Sequence, residues 1–443
     1  MEPARENART HERQSLPQIS PSAIRTGHNR AHTSGLPEFS LYRPRSGHPD
    51  WQRLHAEALD IVEQVSPRLS GPRKGAHEWR RRLRSAATLA ANYYYNRKLF
   101  RSGREDFRPL YFIWTLVRAC NFRCEYCDDH RGRKYPDLDT SGTLNTNEAT
   151  RLLEIMRTRT PSVYFAGGES ILRKDLPILT RAARDLAYYP IIINTNASVV
   201  HRRLSDPAWR TWLADTDIVV VSLDALDLDV LSQMWKTRHP EDVLRNLLVL
   251  RELAPRMNFK LLVNTVIQPD SIDHAGDVLD LANDLGIQFS PVPVNVGPRV
   301  DSRLSGDERY LRLAERILAR KRLGYSVTGS DRLNRRLLWS LPLDCRNTLK
   351  PHIDCDGKLF WPCKSAQNMD PEMIQVLDFD HLDALYDHAR SLVDPTNFHG
   401  QGPSQCGGDC NWAQNYTTDA YADALRRPWR LFEEIRSVLW TTR

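Results

Sequence analysis

Between residues 108 and about 300, short apolar runs alternate with helix-periodic stretches, and this alternation limits the fold more than any other feature of the chain. The runs are YFIWTLV, SVYFAG, IIINTNA, DIVVVSLDA, KLLVNTVI and QFSPVPVNV. Between them stand NEATRLLEIMRT, LPILTRAARDLAYY, EDVLRNLLVLREL and HAGDVLDLANDLG, which carry the helical period. The runs are continuously apolar rather than alternating, as in strands covered on both faces. Six consecutive βα units call for parallel strands joined by helical crossovers. The predicted class is therefore α/β, a parallel sheet curled into a partial (β/α)6 barrel.

The flanks read differently. Residues 1–48 are rich in Arg, His, Ser and Pro with isolated hydrophobes, and are expected to be disordered or loosely attached. Residues 49–107 form a helical extension: Trp51, Leu54, Ala58, Ile61 and Val62 mark one helix, and a longer basic helix follows. Its Arg80, Arg81, Arg82 and Arg84 read most simply as a solvated face, with an acidic peptide, a nucleotide-bearing substrate or an anionic membrane as alternative partners. The core is set at 108–305 and a helical connector at 306–340. A small cysteine-rich C-terminal domain spans 341–425, and a last helix fills 426–443.

Eight cysteines in 443 residues would read as disulfides in a secreted protein, but the N-terminus has no apolar signal region. No apolar run approaches the roughly 18 residues of a membrane span. The expected setting is the reducing cytoplasm, where clustered cysteines serve metals or catalysis rather than disulfides. A formal charge of +7 spread over this length is no argument for nucleic-acid binding.

In parallel βα folds, functional groups gather where strands end. Cys120, Cys124 and Cys127 follow the first strand, and Ala166–Ser170 (AGGES) the second. Asn194, Thr195 and Asn196 end the third, Ser222 and Asp224 the fourth, Asn264 and Thr265 the fifth, and Asn295 the sixth. Any one could cap a turn; six on one rim define a site. Three thiolates on a short loop can hold three irons of a [4Fe-4S] cube and leave the fourth iron to a non-protein ligand. Zinc, with His130 as a fourth ligand, and an inert loop are the alternatives.

At these residues the chain resembles the radical S-adenosylmethionine (SAM) superfamily. CNFRCEYC fits its CxxxCxxC signature, AGGES its GGE motif, NTNAS its third-strand motif and VSLDA its fourth, with Ala197 and Ala225 in place of the commoner glycines. The resemblance implies a [4Fe-4S] cluster on Cys120, Cys124 and Cys127 that binds SAM. It places Gly167, Gly168 and Glu169 at the methionine amino group, and Tyr126 near the adenine. Asn196, Ser222, Asp224 and Asn264 would serve the ribose and carboxylate. No catalytic side chain is assigned beyond the cluster.

The remaining cysteines, Cys345, Cys355, Cys363, Cys406 and Cys410, resemble the SPASM/Twitch auxiliary regions of that superfamily. Five cannot supply two four-thiolate clusters, so one auxiliary [4Fe-4S] cluster on Cys345, Cys363, Cys406 and Cys410 is expected, with Cys355 spare. A structural zinc site is the plainer alternative. The implied activity is reductive cleavage of SAM to a 5′-deoxyadenosyl radical that takes a substrate hydrogen, with a flavodoxin or ferredoxin as electron donor. The substrate is expected to be a ribosomally made peptide, although residues 49–105 do not suggest a winged-helix leader-binding domain. A small molecule (aminocyclitol, sugar or nucleoside) is the second reading, and a non-catalytic iron–sulfur or zinc scaffold the third.

Overall fold

The computed structural model describes residues 46–127, 142–343, 345–364, 372–398 and 410–439. Expectations for residues 1–45, for His130 and for Cys406 fall outside this set.

Six parallel strands form the core: β1 (Tyr111–Thr115), β2 (Ser162–Ala166), β3 (Ile191–Thr195), β4 (Ile218–Ser222), β5 (Lys260–Ile267) and β6 (Gln288–Pro293), each hydrogen-bonded to the next. The crossovers are helical. α3 (Thr146–Arg157) and α4 (Leu176–Asp185) each fill one; α5 (Val200–Ser205) with α6 (Trp212–Asp215), and α7 (Leu228–Trp235) with α8 (Glu241–Met257), fill the next two, and α9 (Ile272–Leu285) the last. α3 begins with a capping box: Asn145 accepts from the Glu148 amide while the Glu148 carboxylate accepts from the Asn145 amide.

The strands read as continuously apolar because each face meets a different apolar environment. Phe112, Trp114, Val163, Phe165, Val219 and Val221 point outward into the main core beneath the helices. Ile192, Ile218, Val220 and Leu262 form a separate cluster that lines the lumen. The period-2 alternation is present in space but hidden in the composition.

Beyond β6 come the hairpin β7 (Asn295–Val296) and β8 (Arg299–Val300), then α10 (Ser302–Ser305), α11 (Glu308–Arg322) and α12 (Asp331–Leu338). The cysteine-rich region contributes β9 (His352–Ile353), β10 (Lys358–Trp361), β11 (Glu372–Gln375), α13 (Leu382–Leu392), α14 (Tyr416–Arg426) and α15 (Trp429–Leu439). Its strands extend the main sheet. β9 pairs in parallel with β1, Ile113 opposite His352, so the nine-stranded sheet runs β11-β10-β9-β1-β2-β3-β4-β5-β6. An open edge at β1 would leave a row of backbone groups unpaired, and the C-terminal strands satisfy it.

The N-terminal helices are likewise built in. α1 (Trp51–Val65) packs on α8. α2 (Ala76–Arg101) crosses the entry ends of four strands with a seam of buried polar side chains. Ser85 Oγ lies 2.9 Å from the Pro161 carbonyl and 2.7 Å from that of Tyr189, while Asn92 Nδ2 donates to Pro109 O at 2.9 Å and Asn96 Nδ2 to Arg108 O at 2.8 Å. Each acceptor lies just before a strand, where the ladder leaves carbonyls in need of donors. Arg81, expected on a solvated face, is 2% exposed and forks onto Asp217 at 2.6 and 2.9 Å just ahead of β4. Arg80 and Arg84 are exposed, as expected.

Candidate active site

The cysteine loop is set by its pairing with the next strand. After β1 and β2 end, the ladder continues: Gly168 N donates to Val117 O and Glu169 N to Ala119 O, both at 2.8 Å. A Cβ on Gly168 would lie 2.2 Å from Ala119 O, and one on Gly167 2.5 Å from Val117 O, with Gly167 at φ +142°. Two glycines are therefore needed so that the GGE segment can lie against the backbone leading into Cys120. From the other side, Arg118 forks onto Asp354 at the end of β9, and Leu144 N donates to Cys355 O at 3.0 Å.

Glu169 is 1% exposed, and its carboxylate is occupied by the protein. Oε1 accepts from Ile171 N at 3.0 Å and Thr195 Oγ1 at 2.6 Å, and Oε2 accepts from Asn196 N at 2.5 Å. Burial raises its pKa to about 7 despite these donors. It ties the rim after β2 to the end of β3 and does not line the cavity. Asp224 behaves alike: it is 1% exposed, and burial raises its pKa. Its carboxylate accepts from Tyr126 Oη, from Trp235 Nε1 at 2.8 Å and from Val266 N at 2.7 Å. That network pins the aromatic residue of the cysteine loop to the end of β4. Both acids were expected on the cofactor; among the described residues both are held by hydrogen bonds from the protein itself.

The other rim residues do face one cavity of about 1310 Å³ that runs through the lumen. Cys120, Cys124, Cys127, Tyr126, Gly167, Gly168, Asn196, Ser222 and Asn264 all line it. Ser222 stands directly opposite Asn264 in the β4–β5 ladder. Asn196 is partly engaged, donating to Asn121 Oδ1 at 2.9 Å and accepting from Ser198 Oγ at 2.7 Å. Asn194 also lines the cavity, and its Oδ1 is buried without a hydrogen-bond partner among the described residues. Ala197 takes the left-handed backbone, φ 57°, where the motif usually has glycine.

The thiols fit a cluster. Burial pushes the Cys124 thiol well above its ordinary value, and Asp224, Cys127 and Cys120 push it further. A cationic iron bound there would offset that cost and favour the thiolate form. Among the described residues no three His, Cys, Asp or Glu side chains converge tightly enough for a single ion. A cube spreads its thiolates over separate irons and does not require that convergence.

A second group of thiols surrounds Lys350, which is 2% exposed and lines the cavity. Burial lowers its pKa to about 8, opposed by Cys345, Cys363 and Cys410. Its ammonium binds Gln414 O and lies 5.6 Å from the Trp412 ring centre, while Trp412 N donates to Cys410 Sγ at 3.5 Å. Cys355 stands elsewhere, beside Asp354, Arg118 and Thr143. His352, opposite Ile113 on the lumen face, is 7% exposed, lies tilted against Trp412 with ring centres 5.5 Å apart and has its Nε2 without a partner among the described residues. Lys350, His352, Trp412 and Trp235 were not anticipated. Lys350 caps the turn before β9 and His352 opens that strand, and both line the cavity.

The sequence profile of the Radical SAM superfamily matches residues 114–282. Among curated proteins, GTP 3′,8-cyclase of Synechocystis sp. is 28% identical over 217 residues, 48% of this chain and 62% of that protein. PqqA peptide cyclase of Bradyrhizobium diazoefficiens is 27% identical over 190 residues, 42% and 46% of the two chains. Fe-coproporphyrin III synthase of Methanosarcina barkeri is 29% identical over 123 residues, 28% and 29%. The chain thus spans less than two thirds of the length of these relatives. Among solved structures, Streptococcus suis SuiB bound to precursor peptide SuiA superposes with a TM-score of 0.52 at 17% identity, covering 72% of this chain and 73% of that one. This likeness is one of fold.

Proposed function

We propose, from the premise that residues 114–282 are a radical SAM domain, that this protein cleaves SAM reductively and modifies a segment of a peptide by abstracting hydrogen from it. The observation that carries the reading is the single cavity joining the Cys120–Cys127 loop at one side to the Lys350–His352–Trp412 wall and its thiols at another. At about 1310 Å³ it is the space that the cluster, SAM and a segment of substrate would share. PqqA peptide cyclase among the relatives supports the same substrate class.

When bound, the cluster and SAM supply one-electron cleavage of the sulfonium and a hydrogen-abstracting 5′-deoxyadenosyl radical. Cys120, Cys124 and Cys127 would hold the iron. The backbone of Gly167 and Gly168 and the side chains of Asn194, Asn196, Ser222 and Asn264 would take the polar groups of SAM, with Tyr126 against its adenine. Glu169 and Asp224 position these residues instead of touching the cofactor. Ile113, Ile192, Val220 and Leu262 keep the lumen apolar and exclude water from the reacting carbon. Cys345, Cys363, Cys410 and Cys406 would hold a second cluster behind Lys350, with a flavodoxin or ferredoxin as donor in the cytoplasm.

GTP 3′,8-cyclase among the relatives favours a small-molecule reading as the second choice. The test uses anaerobically reconstituted protein, dithionite, SAM and a deuterated short peptide encoded beside the gene. Deuterium appearing in 5′-deoxyadenosine supports the peptide reading. Deuterium transferred only from a sugar or nucleoside overturns it.

A further inference from the structure

α2 has three faces. One is the buried polar seam of Arg81, Ser85, Asn92 and Asn96 on the strand ends. The second, at spacings of four, three, four and four, is Trp79, Leu83, Ala86, Ala90 and Tyr94, all exposed, with Trp79 at 65% and Tyr94 at 78%. The third flanks it with Arg80, Arg84 and Lys98, also exposed. The helix's one acid, Glu78, is turned inward and taken by Arg81, Arg82 and Arg184. α15 adds Trp429 and Phe432, 62% and 77% exposed, and Phe432 lines the same cavity as Trp79, Leu83 and Tyr94.

Two water-facing helices with no other role would not carry four large aromatic rings so exposed, and the buried seam of α2 already closes the barrel end. Aromatic rings beside a row of cations with no acidic partner among the described residues form the pattern of a surface that settles at the lipid headgroup level. From Trp79 to Tyr94 the apolar row runs 15 residues, about 22 Å of helix. An acidic peptide would also satisfy the cations, but it would not call for rings 62–78% open to solvent on two helices.

We propose that α2 and α15 form a docking face that seats this protein on an anionic lipid surface, with Trp79, Tyr94, Trp429 and Phe432 inserted among the headgroups and Arg80, Arg84 and Lys98 against lipid phosphates. The apolar end of the cavity then opens toward the bilayer. Nothing in this surface depends on the cysteine loops, so it stands or falls independently of the catalytic reading.

The test is co-sedimentation of the full chain with vesicles of phosphatidylcholine containing phosphatidylglycerol, and with pure phosphatidylcholine. Binding to the anionic vesicles is expected, weakening as ionic strength rises. The Arg80→Gln/Arg84→Gln pair should bind roughly thirtyfold more weakly, from the usual contribution of two cations near an anionic surface. Trp79→Ala/Phe432→Ala should lose on the order of tenfold or more. These positions are exposed, and unchanged thermal unfolding of each variant shows that the fold survives. Absence of anionic-vesicle binding overturns the proposal, as does equal binding to neutral vesicles or wild-type binding by either double variant. An acidic amphipathic peptide that binds this face while vesicles do not would overturn it in favour of a peptide site.

Discussion

Replacing Gly168 by alanine tests the mechanical link between the GGE segment and the cysteine loop. The added methyl would sit 2.2 Å from the Ala119 carbonyl oxygen and 2.5 Å from that of Arg118. Both obstacles are backbone, so no rotamer change relieves them, and the two segments must separate by roughly 1 Å to reach ordinary contact. That movement breaks the Gly168 N–Val117 O and Glu169 N–Ala119 O hydrogen bonds, both 2.8 Å. Losing two such bonds, with one or more buried groups left unsatisfied, costs about 3 kcal/mol. The displaced residues lead directly into Cys120, so cluster loading should fall along with stability. The assay is urea unfolding of the apoprotein followed by iron analysis after anaerobic reconstitution. Gly71→Ala is the control: no atom lies within 4 Å of its added Cβ, and it should be neutral or stabilising by up to about 1 kcal/mol. A Gly168→Ala protein with control-like stability and full iron would refute the reasoning.

Arg81→Met should destabilise by about 3–5 kcal/mol in thermal or urea unfolding, because it leaves Asp217 without its buried partner and takes one of three cations from Glu78. Glu169, at about pKa 7 in the folded protein against an ordinary 4.5, loses its proton earlier in the unfolded chain, so its contribution to stability falls as pH rises between those values. Glu169→Gln should remove up to about 3 kcal/mol of that pH dependence; an unchanged slope of stability from pH 5 to 8 would contradict it. Cys355→Ser should keep all its iron while Cys363→Ser loses about four atoms per chain. The reverse pattern in an iron assay would reassign the spare thiol.

The barrel and its rim were legible because each depends on local information: strand runs, crossover periods, and the residues at which runs end. What the rim residues do was less legible. Glu169 and Asp224 stand at the expected strand ends, yet each is consumed by partners remote in sequence. Asp224 binds Tyr126 98 residues earlier, and Glu169 binds Thr195 26 residues later. No local pattern announces such a pairing. The polar seam of α2 escaped notice for the same reason: Arg81, Ser85, Asn92 and Asn96 look like a wet face until the strand-end carbonyls that need donors are placed beside them. The joining of β9 to β1 was hidden because a two-residue strand carries no period, although it is what brings His352 and Lys350 into the lumen.

The central claim is that Cys120, Cys124 and Cys127 hold a cluster that cleaves SAM, with a second cluster held independently. The most direct measurement compares wild-type protein with the triple alanine variant of these cysteines, both reconstituted anaerobically and given dithionite and SAM. Wild type should bind about eight irons and release 5′-deoxyadenosine, and the variant should keep about four irons and release none. 5′-Deoxyadenosine from the triple variant, or its absence from iron-replete wild type, would contradict the account.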